Sequence, residues 1–189
     1  MSNIKKMTLG AMLLAIYTVL FLFYYYGLIS GIVSFILPIP FILFRKVIKN
    51  LKYTIVFFIS ALVLGWIFGS LFGLITTIIY SLTGLSLTIF NDKKLSKIFS
   101  IFVASIIFTL LWGLIPLLVY RISIIEVLAK ILNSCMEIIS NLNFLSDSNY
   151  IYLNNDSLHL GVLLVITMGL VTSYISLSFS NIILDKLLN

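Results

Sequence analysis

The 189 residues predict an all-α, polytopic membrane protein: a single domain of six transmembrane helices, with an external amphipathic helix between helices five and six. Three observations carry that prediction. Composition is the first: 61% of residues are hydrophobic and 10% charged, with a mean hydropathy of +1.21. A soluble domain of this length cannot hide so much apolar surface. The second is length, since several apolar runs are long enough for the ~30 Å hydrocarbon core of a bilayer. The third is the placement of charge. All but two of the twelve Lys and Arg residues fall in four groups: Lys5 and Lys6; Arg45, Lys46, Lys49 and Lys52; Lys93, Lys94 and Lys97; and Lys186. Basic residues stay on the cytoplasmic side of short loops, so the groups are expected on one face of an inner cell membrane, with both termini cytoplasmic. This topology accounts for the net charge of +6 without invoking nucleic acid, although such loops attract anionic headgroups.

The elements follow in order. Helix one is expected from Met7 to Tyr26; its basic start resembles a signal peptide, but the run is long enough to span and no small-residue cleavage site follows. Gly27 to Gly31 allows only a tight outer turn. Helix two is expected from Leu28 to Phe44, with its last turn distorted by Pro38 and Pro40. Arg45 to Lys52 forms the first inner loop. The run from Tyr53 to Phe90 carries no formal charge, and as one helix it would rise about 57 Å, far more than a bilayer core. It is therefore expected to fold back where Gly65, Gly69 and Gly73 cluster, giving helix three to Gly69 and helix four from Leu71. After the inner loop Asn91–Lys97, helix five is expected over Ile98–Tyr120.

The stretch from Arg121 to Ser157 differs. Ile125, Leu128, Leu132, Cys135, Ile139 and Leu142 recur every three or four residues, opposite Glu126, Lys130, Asn133 and Glu137. That is an amphipathic helix, able to lie on the outer leaflet or cap the bundle. Asn143 to Ser157 reads as loop, and helix six is expected from Leu158 to Leu184.

Little in the chain points to catalysis. The single cysteine and single histidine exclude an internal disulfide, a multi-cysteine metal site and a His pair for zinc, and no predicted span carries an acid or base in its core. No cofactor and no enzymatic activity are expected. The residues best placed to bind a small molecule gather at the outer mouth: Tyr24, Tyr25 and Tyr26 ending helix one, Trp112 and Arg121 towards and after the end of helix five, and His159 opening helix six. An interfacial aromatic belt accounts for the aromatics equally well. Ala11 and Ala15, with Gly10 beside them, form a small-residue strip on which another helix can dock, or through which helix one packs internally.

Three features together resemble the substrate-binding membrane subunit, or S component, of energy-coupling-factor transporters. They are the opening KKMTLGAMLLAIYTVL with its Ala11/Ala15 pair, the size with six apolar spans, and the short first hairpin leading to ILPIPFILFRK. The last is similar to the YybS-like proteins of that group. The resemblance implies that Ala11 and Ala15 contact a coupling membrane subunit, which carries two ABC ATPases. It also implies capture of a vitamin-like small molecule outside the cell. The chain has no nucleotide-binding P-loop of its own, no vitamin-specific motif and no histidine-rich N-terminus, and its long external segment departs from the family. The competing expectation is a non-transport assembly protein acting through the amphipathic segment 125–142.

Overall fold

A computed structural model describes residues 3–27, 30–92, 96–115 and 155–188. Within them every regular element is an α-helix: α1 (Asn3–Tyr25), α2 (Ser30–Ile36), α3 (Ile39–Ile48), α4 (Leu51–Asp92), α5 (Lys97–Ile115) and α6 (Asn155–Leu188). Three stretches are long and apolar enough to cross a bilayer, Asn3–Tyr25, Leu51–Ile89 and Val165–Lys186, and Lys97–Trp112 is a shorter apolar helix. Large apolar side chains such as Ile59, Trp66, Leu110 and Phe179 lie on the outside. Such a surface suits hydrocarbon, as expected of a multi-pass membrane protein. The amphipathic segment 125–142 and residues 143–154 of the expected loop lie outside the described residues; residues 155–157, expected as the end of that loop, instead open α6.

The charge-free run does reverse direction. Ser70, inside α4, has φ 52° and ψ −142°, a region that non-glycine residues rarely occupy. On its two sides Gly65 and Gly73 touch: a Cβ built on Gly65 would lie 2.8 Å from the Gly73 carbonyl oxygen. In a straight helix these positions would be separated by about 12 Å along the axis. α4 is thus a helical hairpin with a first arm, 51–69, and a second arm, 71–92.

The prolines act differently from the sequence expectation. One helix from Leu28 to Phe44, distorted only in its last turn, is replaced by two, α2 and α3, broken at Leu37–Pro38. Pro38 takes the N-cap position of α3 and Pro40 its first turn, where a missing N–H costs nothing and the fixed φ suits a helix. Proline here starts a helix instead of ending one. The expected loop 45–52 shrinks accordingly: Arg45 and Lys46 occupy the last turn of α3, where cations complement the carbonyl end. Lys49 caps it in a left-handed conformation (φ 49°), its N–H donating to the Arg45 carbonyl. From Ile39 to Phe44 every residue of α3 is buried, as a helix apolar on all sides requires. Gly84 lets it approach, since a Cβ there would lie 2.7 Å from the Pro38 carbonyl oxygen.

Aromatic rings join these elements. Phe41 of α3 meets Tyr17 of α1 edge-on, with centroids 5.1 Å apart, and Phe44 stacks on Phe57 of α4 at 4.2 Å. Each such pair contributes about 0.5–1.5 kcal/mol beyond area burial. The basic ends gather at one end of the bundle. Lys6 Nζ lies 5.3 Å over the Tyr53 ring, Lys46 Nζ donates to Asn181 Oδ1 at 2.6 Å, and the hairpin returns α4 to the level from which it began.

Candidate functional site

Among the described residues, every buried side chain classed as polar is a serine or threonine. Most are satisfied within their own helix: Thr83 Oγ1 donates to the Ile79 carbonyl at 2.7 Å, Thr172 Oγ1 to the Met168 carbonyl at 2.8 Å, and Ser86 Oγ to the Thr83 carbonyl at 2.8 Å. This is how hydroxyls are accommodated in helices without water. A smaller set instead binds across helices: Ser105 Oγ of α5 donates to the Ile166 carbonyl of α6 at 3.3 Å, and other cross-helix bonds lie at and beside the end of α2.

The cause is the helix break. Pro38 and Pro40 have no N–H to give to the carbonyls four residues earlier, those of Ser34 and Ile36. Between them, the Phe35 carbonyl accepts from Ser176 Oγ of α6 at 2.6 Å. Ser34 and Tyr24 both hydrogen-bond the Tyr80 hydroxyl, and the Tyr24 and Tyr80 rings meet edge-on at 5.8 Å. Consecutive residues of α2 therefore draw polar partners from α4 and α6, and Tyr24 of α1 joins them through Tyr80. One level across, Tyr17 Oη donates to Thr77 Oγ1 at 2.7 Å, and Thr77 Oγ1 donates to the Gly73 carbonyl at 2.8 Å. This chain ties α1 to the second arm of α4.

Two buried hydroxyls flank the cluster without a partner, Thr76 Oγ1 and Ser173 Oγ. Thr76 lies one turn before Tyr80 and Ser173 close to one turn before Ser176, on the same helix faces. An unsatisfied buried hydroxyl costs about 1–3 kcal/mol. The end of α2 is thus a hydroxyl-lined locus with hydrogen-bonding capacity unused. Its groups are uncharged, so it suits a neutral polar or heterocyclic molecule more than an ion. Among the described residues no three His, Cys, Asp or Glu side chains come together.

The predicted site residues separate. Tyr24 enters the cluster. Tyr25 and Tyr26 point away from it; Tyr26 is 70% exposed, and Tyr25 lies against Phe21, Tyr26 and Phe72. Helical geometry turns each successive residue by about 100°, so the triplet never shared a face. Trp112 is half-buried and packs on the core beside Phe108 and Leu111. Arg121 lies outside the described residues, as does the side chain of His159, whose backbone is in α6. Ala11 and Ala15 are exposed, opposite the buried face of Leu13, Tyr17 and Phe21. Gly10 alone of that group serves internal packing, since a Cβ there would lie 3.0 Å from Phe44 Cε2. Ser34, Thr76, Tyr80, Ser173 and Ser176 were not among the predicted residues, although the threonines and serines crowding 76–88 were a visible signal.

No protein-family model, no curated protein and no solved structure matches this chain.

Proposed function

We propose that the chain is the substrate-binding membrane subunit of an importer of the energy-coupling-factor type. It crosses the membrane six times with both termini in the cytoplasm, the two arms of α4 and the broken α2–α3 unit counting among the spans. The observation that carries the reading is the strip formed by Ala11 and Ala15. Both are exposed on α1, while the neighbouring small residue, Gly10, is used against Phe44. Small side chains on the lipid-facing side of a helix let a second helix approach closely, where packing supplies the association energy.

The hydroxyl cluster at the end of α2 supports the ligand-binding half. Discontinuous helices in transporters leave backbone groups free at the point of binding. Tyr24, Tyr80, Ser34 and the unpaired Thr76 and Ser173 would recognise a neutral heterocyclic or aromatic solute entering from outside. The chain binds; a coupling subunit with two ATPases supplies the energy and reorients it for release.

The test is affinity purification in mild detergent from native membranes, with mass spectrometry of co-purifying chains, for the wild type and for Ala11→Trp/Ala15→Trp. The expected result is a coupling membrane protein and two ABC-type ATPases with the wild type and their loss with the variant, at an unchanged thermal midpoint. Recovery of the wild type without ATPases, or with an unrelated membrane complex, would overturn the reading.

A further inference from the structure

A groove of about 230 Å³ opens on the outside of the bundle between α1, α3 and the first arm of α4. Gly10 and Ala11 form its floor, Phe44 and Phe57 its wall, and Lys6 and Tyr53 its rim at the basic end of the molecule. The absence of a side chain on Gly10 deepens the floor, and the stacked rings of Phe44 and Phe57, 4.2 Å apart, make a flat apolar side. Lys6 is held at the mouth over the face of Tyr53, an arrangement that fixes the ammonium without neutralising it. None of the lining residues is acidic.

We infer that this groove is a binding site for a single acidic glycerophospholipid. Its acyl chain lies against Gly10, Leu14 and Phe57, and its phosphodiester meets the Lys6 ammonium beside the Tyr53 hydroxyl. Three observations select this occupant. The groove opens where Met7, Ala11 and Val56 are exposed, on the surface that hydrocarbon covers. Its walls are apolar and its one cation stands at a single end, the polarity of a lipid with a charged headgroup. A soluble anion of the same charge would find no ring of polar partners. A second and larger groove, about 490 Å³ between α4 and α5, supplies the contrast. Of its seven lining residues, which include Leu82, Ile89, Ile107 and Leu111, one, Ser86, is polar and none is a cation. Such a surface takes any acyl chain and has nothing with which to select a headgroup.

The inference requires no coupling partner, but it shares Ala11 with the proposed docking strip, so a lipid in the groove and a helix docked on that strip would compete there. It is tested by native mass spectrometry of the full-length protein, titrated in detergent with phosphatidylglycerol or phosphatidylcholine of identical acyl chains. The wild type is expected to retain one phosphatidylglycerol with a preference of about fivefold over phosphatidylcholine, the effect of one basic residue at an anionic lipid surface. Lys6→Gln should reduce phosphatidylglycerol to the phosphatidylcholine level. Val56→Trp, which fills the groove from its exposed rim, should lower retention of both. Lys186→Gln, at the same end but off the groove, should leave the preference intact. Equal retention of the two lipids by the wild type, or an equal loss in Lys186→Gln and Lys6→Gln, would overturn the assignment. So would an unchanged preference in Lys6→Gln, which keeps the test decisive even if Val56→Trp fails to fold.

Discussion

The two arms of α4 are joined at one residue and are both strongly apolar, yet they have opposite surroundings. The first arm buries a narrow stripe, Thr54, Phe57, Ala61, Gly65 and Gly69, and exposes Ile55, Val56, Ile59, Val63, Trp66 and Ile67. The second exposes Leu71, Leu82 and Ile89 along one line and encloses Thr76, Thr77, Ile79, Tyr80, Ser81, Thr83, Ser86, Leu87 and Thr88. Hydropathy does not separate them; the distribution of hydroxyls does. A hydroxyl facing lipid can reach only a carbonyl of its own helix, as Ser60 Oγ reaches that of Val56, whereas one facing other helices meets their carbonyls and hydroxyls as well. Along α4, serine and threonine therefore lie mainly on the inside.

The strongest way to break this comparison is to force the arms apart. Gly73→Leu places a side chain against the Gly65 backbone, which cannot move aside as a flexible side chain would. Overpacking of this kind costs about 1–3 kcal/mol in a core that can adjust, and more where backbone must shift. Loss of monodisperse protein in detergent is expected, or a large fall in thermal midpoint. A wild-type midpoint would show that the arms do not close on each other.

Ile59→Lys addresses the outer face of the first arm. Ile59 is exposed, so in a water-soluble protein lysine there would be nearly neutral. Near the centre of a span it costs about 2.5–3.5 kcal/mol of insertion free energy. A glycosylation reporter fused after the first arm should show markedly reduced insertion. Unchanged insertion would remove this face from the hydrocarbon.

The same contrast explains what was legible in the sequence. The reversal inside Tyr53–Phe90 followed from charge and length, but the turn residue did not. The glycines were the natural candidates for a positive φ, yet they serve close approach: Gly65 against Gly73, and Gly69 with its Cβ position 2.9 Å from Phe21 Cζ. Ser70 is left with the strained conformation. Pro38 and Pro40 signalled an interruption, but a proline marks the start of a helix as well as the end of one. Only packing against Gly84 shows that a ten-residue helix, Ile39–Ile48, buried over its first six residues, follows. At the site, one of the three adjacent tyrosines had to face inward. That it is Tyr24 depends on Tyr80 and Ser34, residues distant in sequence and unremarkable by composition.

Adjacent hydroxyls on the second arm give the finer test. Thr77 accepts from Tyr17 and donates to the Gly73 carbonyl. Thr77→Val keeps the shape and leaves the Tyr17 hydroxyl buried without its acceptor, a loss of about 1–3 kcal/mol. The lower end of that range suits a bilayer, where comparable bonds average about 0.6 kcal/mol. The thermal midpoint should fall by several degrees, and Tyr17→Phe combined with it should restore part of the loss, because the stranded donor is then removed. A double variant no more stable than Thr77→Val alone would mean the two hydroxyls are not coupled.

Thr76→Val carries the smallest expected effect and the most informative sign. Thr76 is as deeply buried as its neighbour, but its hydroxyl has no partner. Replacing that hydroxyl with a methyl group removes a desolvation cost and breaks no bond, so the midpoint should stay level or rise, by up to about 1 kcal/mol in stability. Two isosteric substitutions at consecutive positions would then move stability in opposite directions. A residue retained against stability needs another reason, and hydrogen-bonding capacity offered to a bound solute is the one the proposed site supplies. On that reading Thr76→Val also shortens retention of the native ligand when the protein is purified from its own membranes, while Thr83→Val, whose hydroxyl is spent on the Ile79 carbonyl, does not. If Thr76→Val lowers the midpoint as Thr77→Val does, the Thr76 hydroxyl already has a partner inside the protein, and the locus at the end of α2 loses one of its two free donors.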